Sequence, residues 1–255
     1  MSFQSLLDHF YTATGIEFKE NREIVNRKVT QFYEDRGYKD YHDFFSTIKT
    51  NKQLYQDLIN LLTTSETYFY RELHQIDFCV EIAKNKAGTI KILSAPCASG
   101  EEPYSLLIAV LEANIDLNKI QIYAFDINTQ EVNKAKEGVF AHRRLHKLSA
   151  ELQKKYFTVL DDGTYKIIPD LQKHVHFKQM NLFEPFSAEF SNFDLIFSRN
   201  MLIYFDKKAQ EQAERIFCDR LKSGGLLFLG HADKIHNVTD LKFETKNGTS
   251  YYKKL

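Results

Sequence analysis

Between Ile90 and Asp126 the chain sets a glycine, three acids and small polar residues at two junctions of a regular pattern. Thr89-Ile-Lys-Ile-Leu-Ser94 reads as a strand, Ala95-Pro-Cys-Ala-Ser-Gly100 as a turn, Glu101 to Leu111 as a helix, and Ile120-Gln-Ile-Tyr-Ala-Phe-Asp126 as a second strand ending in a carboxylate. A turn containing Gly100 lets a ligand approach the backbone at a helix N-terminus, and the acid closing the next strand accepts from ribose hydroxyls. One glycine stands where a dinucleotide fingerprint needs three, and Glu101 and Glu102 follow it. Two acids there repel a pyrophosphate but not a ligand carrying a sulfonium and an ammonium. The spacing therefore points to S-adenosylmethionine rather than NAD or ATP.

The elements that must hold this unit follow from length and periodicity. At 255 residues and 43% hydrophobic content, the chain has room for one large domain, or one domain with a small partner, around a full core. Residues 1–85 hold two glycines, Gly15 and Gly37, and no proline, with apolar residues at helical spacing: Phe3, Leu6, Leu7, Phe10; Val25, Val29, Phe32; Leu54, Leu58, Leu61, Leu62. This predicts an all-helical N-terminal domain over 1–85, with a linker near Asn85 to Gly88. From residue 86 to 255 short β-rich runs alternate with helices, the pattern of a largely parallel α/β sheet. Strands are expected at Ile90–Ser94, Gln121–Phe125, Val175–Met180, Phe193–Ser198 and Leu226–Gly230, followed by a hairpin turning at Asn247-Gly248. Between about 141 and 174 the rhythm breaks, and a basic helical stretch followed by Asp161-Asp-Gly-Thr predicts a small β insert on the rim of the sheet.

Charge and cysteine usage narrow the function. Lys plus Arg equals Asp plus Glu at 34 each, so no bulk positive charge drives binding to nucleic acid. The N-terminus lacks a basic region followed by an apolar run, and no stretch of eighteen apolar residues occurs, so a cytoplasmic protein without direct membrane insertion is expected. Cys79, Cys97 and Cys218 are odd in number and far apart, which suits reduced thiols. His174-x-His176 has no third ligand at metal-binding spacing, and no metal is expected.

In an α/β sheet ligands bind beyond the carboxyl ends of the strands. Those positions hold Gly100 and Glu102, then Asp126, then Asn181-Leu182, then Ser198-Arg-Asn-Met-Leu-Ile-Tyr-Phe-Asp206, then His231. A second polar cluster, Thr64-Ser-Glu-Thr-Tyr-Phe-Tyr-Arg-Glu72, follows the helical part. With these residues in place the chain resembles the chemotaxis receptor glutamate O-methyltransferases, the CheR family. Thr64 to Glu72 matches T-N-x-T-x-F-F-R-[ED], Ser94 to Ser105 matches S-A-x-x-S-x-G-E-E-P-Y-S, and Ser198 to Asp206 matches C-R-N-x-x-I-Y-F-D. Leu221 to Asp233 is similar to L-x-x-G-G-x-L-x-x-G-H-S-E. Order and spacing agree from about Gly15 to the C-terminus.

The resemblance implies a Rossmann-like S-adenosylmethionine-dependent methyltransferase sheet, a helical domain that docks substrate, and the release of S-adenosylhomocysteine. It implies that Thr67, Arg71 and Glu102 hold the methionine end, with Ser65 and Gly100 beside them. Asp126 then takes the ribose, and Asn181, Leu182, Asn200 and Met201 frame the adenosyl portion. It implies transfer of a methyl group to glutamates of a chemoreceptor cytoplasmic domain. A glutamate with a pKa of about 4.3 is already ionised at neutral pH, so attack on a sulfonium methyl needs no general base. Alignment of the pair supplies roughly 7 to 11 kcal/mol. Arg71 and Tyr204 are expected nearest the methyl, orienting the incoming carboxylate.

Departures from the family pattern carry their own expectations. Ser65 replaces an asparagine and shortens or loses the bond expected there. Ala232 and Asp233 replace Ser-Glu, which puts the anchoring of that strand end in question. The insert's turn is compact, which argues against binding of a receptor tail peptide. Each site residue also has a plainer reading: Ser99-x-x-Glu102 as a capping box, Asp126 as a helix cap, Arg71 as an ion pair with Glu66 or Glu72, and Tyr204-Phe205 as a buried aromatic edge. His142-Arg-Arg-Leu-His-Lys147, like Arg22, Arg27 and Lys28, is either a solvated basic face or a docking surface for an acidic partner.

Two other functions compete. A nucleic-acid methyltransferase acting on exocyclic amines needs Asn/Asp-Pro-Pro-aromatic after the fourth strand, where this chain has Arg199-Asn-Met-Leu; Pro96-Cys97 lies in the wrong loop for C5 attack. A noncatalytic cofactor-binding signalling module fits Ser65 and Ala232, whereas Arg71, Glu102, Asp126, Asn200 and Tyr204 together favour turnover.

Overall fold

A computed structural model describes residues 2–19, 21–63, 65–235 and 239–255. Four helices open the chain: α1 (Phe3–Thr14), α2 (Arg22–Glu34), α3 (Tyr41–Ile48) and α4 (Lys52–Leu62). Ser2, Asp40 and Asn51 cap α1, α3 and α4 by accepting from the N–H three residues on, which satisfies donors that a helix start leaves free. Their apolar stripes meet in one core that includes Leu6, Phe10, Val29, Phe44, Leu58 and Leu62. α5 (Leu73–Asn85) does not join them: Ile76, Phe78, Cys79 and Ala83 pack with the sheet, and the Gln75 side chain donates to the Leu229 carbonyl at 2.8 Å. The apolar residues of α5 share the core of the sheet and not that of the four helices. Periodicity identifies α5 as helical but not which core it faces.

The remaining elements are β1 (Ile90–Ser94), α6 (Glu101–Glu112), β2 (Ile120–Asp126), α7 (Thr129–Glu137), β3 (Val139–Phe140), α8 (Ala150–Tyr156), β4 (Phe157–Val159), β5 (Tyr165–Ile167), α9 (Pro169–Gln172), β6 (Val175–Gln179), β7 (Phe193–Ser198), α10 (Lys207–Arg220), β8 (Leu221–Leu229), β9 (Leu241–Lys246) and β10 (Thr249–Lys254). Seven strands form one sheet in the order β6-β2-β1-β7-β8-β10-β9. The first five are parallel, and β10 pairs antiparallel with β8 and β9. β7 is buried along its whole length, as a central strand covered on both faces must be. Asn247 and Gly248 both take positive φ, 52° and 77°, so the hairpin closes in the mirror-image turn that Asn-Gly favours.

The expected rim insert is present as the antiparallel sheet β3-β5-β4 with α8 against it. Phe69, ahead of α5, sits edge-on to Phe140 and Phe157 at 4.9 and 5.1 Å, so the insert wedges the Ser65–Glu72 segment against the main sheet. Among the described residues no helix is long and apolar enough to cross a membrane. All three cysteines are buried and free.

Candidate active site

β2 and β7 flank β1 on opposite sides, so the chain reverses direction across the sheet at β1 and leaves a crevice at the strands' carboxyl ends. A cavity of about 1070 Å³ lies there. Of the residues expected at the site, Ser65, Thr67, Arg71, Glu102, Asp126, Asn181, Leu182, Asn200, Met201 and Tyr204 all line it. Gly100 does not. With φ at 95° it makes the turn into α6, and a Cβ there would lie 3.0 Å from that of Ala135 on α7, so the glycine serves the turn and close packing. Thr64, the first residue of its motif, lies outside the described residues, and exposed His231 is not part of the lining.

Glu102 is buried in the first turn of α6. Ser99 does not cap that helix; its hydroxyl donates to the neighbouring Glu101 carboxylate at 2.8 and 2.9 Å, so the capping box is absent. Glu102 accepts instead from the Ser94 hydroxyl at 2.7 Å and from Arg199 Nε. Arg199 also donates through Nη1 to the Arg71 carbonyl at 2.6 Å. Arg199 stands within the Ser198–Asp206 motif, but the motif alone assigns it no role. The available signal was electrostatic, since a buried acid beside a strand end requires a cation or several donors.

Asp126 has no cationic partner among the described residues. Its oxygens accept from the N–H groups of Ala98 and Asn128, each at 2.9 Å. Burial pushes its carboxyl up to about 6, against the pull of those donors. It does not cap α7, because Asn128 Oδ1 takes the N–H groups of Gln130 and Glu131. Arg71 donates to the Glu66 carbonyl at 2.7 Å and pairs with neither Glu66 nor Glu72 among the described ion pairs. Among the described residues Ser65 makes no side-chain hydrogen bond, and the Thr67 carbonyl accepts from Arg144. Asn181 spends its amide on the Ala13 carbonyl, at 2.6 Å, and on the Phe183 N–H.

The loop after β7 carries Asn200, Met201 and Tyr204. Asp233 grips it: one oxygen accepts from Asn200 N–H at 2.5 Å and Gly230 N–H at 3.2 Å, the other from Ile203 N–H at 3.1 Å. The anchoring left in question by Asp233 is present, because the shorter acid reaches three backbone donors. Gly230 makes room for it, as a Cβ there would lie 2.9 Å from both Asn200 N and Asp233 Oδ2. Tyr204 is 48% exposed at the cavity and is no buried aromatic edge; its carbonyl accepts from Glu17 N–H at 2.9 Å.

These groups suit an adenosyl sulfonium ligand. Among the described residues Asn200 Oδ1 is a buried acceptor without a hydrogen-bond partner, available to an amino donor, while Asp126 and Glu102 offer acceptors for hydroxyls and an ammonium. The Cys97 thiol also lines the cavity, but burial, with Asp126 and Glu102 nearby, raises it well above the ordinary thiol range, which disfavours a thiolate nucleophile. Among the described residues no group of three His, Cys, Asp or Glu is placed to hold a metal ion. The arrangement can hold and orient a polar ligand.

Residues 1–63 match the family model described as CheR methyltransferase, all-alpha domain, and residues 65–252 match the CheR methyltransferase, SAM binding domain. The chain is 36% identical to "Chemotaxis protein methyltransferase 2" of Vibrio cholerae, across 96% of this chain and 90% of that protein. It is 34% identical to a chemotaxis protein methyltransferase of Campylobacter jejuni, across 95% and 92%. For a protein of the same name from Salmonella typhimurium the identity is 32%, across 98% and 88%.

Proposed function

We infer, because this chain belongs to the CheR methyltransferase family and is an S-adenosylmethionine-dependent methyltransferase, that its methyl acceptor is the glutamate side chain of chemoreceptor cytoplasmic domains. The observation that carries this reading is the single cavity in which Arg71, Glu102, Asp126, Asn200 and Tyr204 converge. Thr67, Arg71 and Glu102 hold the methionine end, Asp126 the ribose, and Asn181, Leu182, Asn200 and Met201 the adenosyl portion, with Ser65 beside them. S-adenosylmethionine supplies an electrophilic methyl on a cationic sulfur.

Arg71 presents a planar fork suited to a carboxylate, and Tyr204, half exposed, presents a phenol to the same incoming group. Neither transfers a proton, because the acceptor is already ionised. The chain contributes alignment and an apolar part of the wall formed by Ile16, Phe18, Leu182 and Met201. The helical unit docks the substrate through basic residues of α2, of which Lys28 stands at the cavity. The chain acts in the cytoplasm, where receptor signalling domains lie.

Incubation with tritiated S-adenosylmethionine and receptor cytoplasmic fragments tests this reading. Label that leaves as methanol on mild base treatment supports a methyl ester; base-stable label, or label transferred to RNA, overturns it.

A further inference from the structure

Just outside Asp126, one buried amide joins the helical unit to the sheet. Asn128 is 3% exposed and uses every polar group it has. Its backbone N–H donates to Asp126 Oδ1, and its Oδ1 accepts from Gln130 and Glu131 N–H at the start of α7. Its Nδ2 donates across the interface to the Asn60 carbonyl at 3.2 Å, the Thr63 carbonyl at 3.1 Å and the Thr63 hydroxyl at 2.9 Å. Neighbouring amides reinforce the seam: Asn60 exchanges hydrogen bonds with Thr129 at 2.8 and 2.9 Å, and Gln56 donates to the Ile127 carbonyl at 2.9 Å.

The acceptors on the helical side lie in and just beyond the last turn of α4, where Leu62 and Thr63 already line the cavity, and two residues later the chain reaches Ser65 in the same wall, which carries Thr67 and Arg71. The hydrogen bonds of Asn128 therefore fix the position of that wall relative to Asp126. We propose that Asn128 is a positioning residue for S-adenosylmethionine binding, tying the acid expected at the ribose to the segment expected at the methionine end. The proposal rests on the cofactor placement argued above. Other residue types fail for stated reasons. Serine still caps α7 but is too short to donate across the seam, and aspartate turns a carboxylate toward two carbonyls.

Asn128→Ser separates the two duties of the amide, and calorimetry with S-adenosylhomocysteine reads the result. Loss of the cross-seam donors weakens binding by about tenfold, with KM for S-adenosylmethionine rising in parallel and kcat holding within about twofold. Thr63→Val removes one acceptor and weakens binding by about threefold, whereas Thr63→Ser leaves it at the wild-type value. In the Asn128→Ser, Thr63→Val double variant the losses do not add. Unchanged affinity in folded Asn128→Ser, or additive losses, overturns the proposal. Should Asn128→Ser fail to fold, unchanged affinity in Thr63→Val overturns it alone. A wild-type protein that binds no S-adenosylhomocysteine overturns the cofactor placement itself, which separates the two failures.

Discussion

Glu102 and Asp126 are two buried acids on one cavity whose charges are supported differently. Glu102 has the Arg199 guanidinium, whereas Asp126 has two backbone N–H donors and is pushed up to about 6. Ribose hydroxyls donate to the ionised form, so ligand binding favours loss of the proton and affinity is present above a pH of about 6. It is lost as pH falls through that value, well before a receptor glutamate at about 4.3 protonates. Calorimetry with S-adenosylhomocysteine from about pH 5 to 8 should show this step, and Asp126→Asn should bind more weakly with the step gone. A step near 4 would separate Asp126 from the ribose. Arg71 and Tyr204 are checked by turnover. Arg71→Ala should lower base-labile label by about 100-fold or more, because misplacement of the carboxylate alone costs on the order of 100-fold. Tyr204→Phe should lower kcat by about tenfold with S-adenosylhomocysteine affinity intact, the size of one hydrogen bond made during transfer.

At the level of elements, the turn between β1 and α6 divides labour in a way that a one-dimensional reading merges. Gly100→Ala would strain a φ of 95° and press a methyl against Ala135, costing roughly 2 to 4 kcal/mol of stability. Because Gly100 does not line the cavity, the folded fraction should keep its S-adenosylhomocysteine affinity within about twofold. Chemical denaturation and calorimetry on one preparation check both halves, and a large affinity loss without destabilisation would return Gly100 to the binding site. Strand-turn-helix-strand was legible because period-2 and period-3.6 patterns switch sharply around Gly100, and the hairpin because Asn-Gly needs little context. Strand starts were less so: β8 begins at Leu221, where Lys222-Ser-Gly-Gly hides a β run. The need for a cation beside Glu102 is legible, but that Arg199 meets it, and which groups Asp233 and Asn128 bond, is not. Each bonds a group 30 or more positions away, and only the closed sheet brings those groups together.

Over the whole molecule the formal charge is zero, so attraction of an acidic substrate has to come from a local field. Lys19, Lys28 and Lys207 stand at the cavity, contributed by the α1–α2 connection, α2 and the start of α10. Lys19 is held by Glu17 at 2.8 Å, while Lys28 and Lys207 make no ion pair among the described residues, so their charge faces solvent uncompensated. The basic stretch on the insert, expected as an alternative docking face, is partly withdrawn: Arg144 turns inward to the Thr67 carbonyl and toward Glu101, leaving Arg143 and Lys147 outside. Docking should therefore depend more on the α2 side. Lys28→Glu should raise KM for a receptor fragment by about fivefold at low salt, and by less at about 0.3 M, where charges beyond several ångströms are screened. Affinity for S-adenosylhomocysteine and kcat at saturating receptor should hold, since Lys28 is exposed on the helical side of the cavity, apart from the groups expected to hold the cofactor. Steady-state kinetics at two ionic strengths, with Arg143→Glu as the matched control on the insert, decide the matter. If the control loses as much as Lys28→Glu, the substrate spans both faces; if only the control loses, docking belongs to the insert and the helical unit serves the cofactor alone.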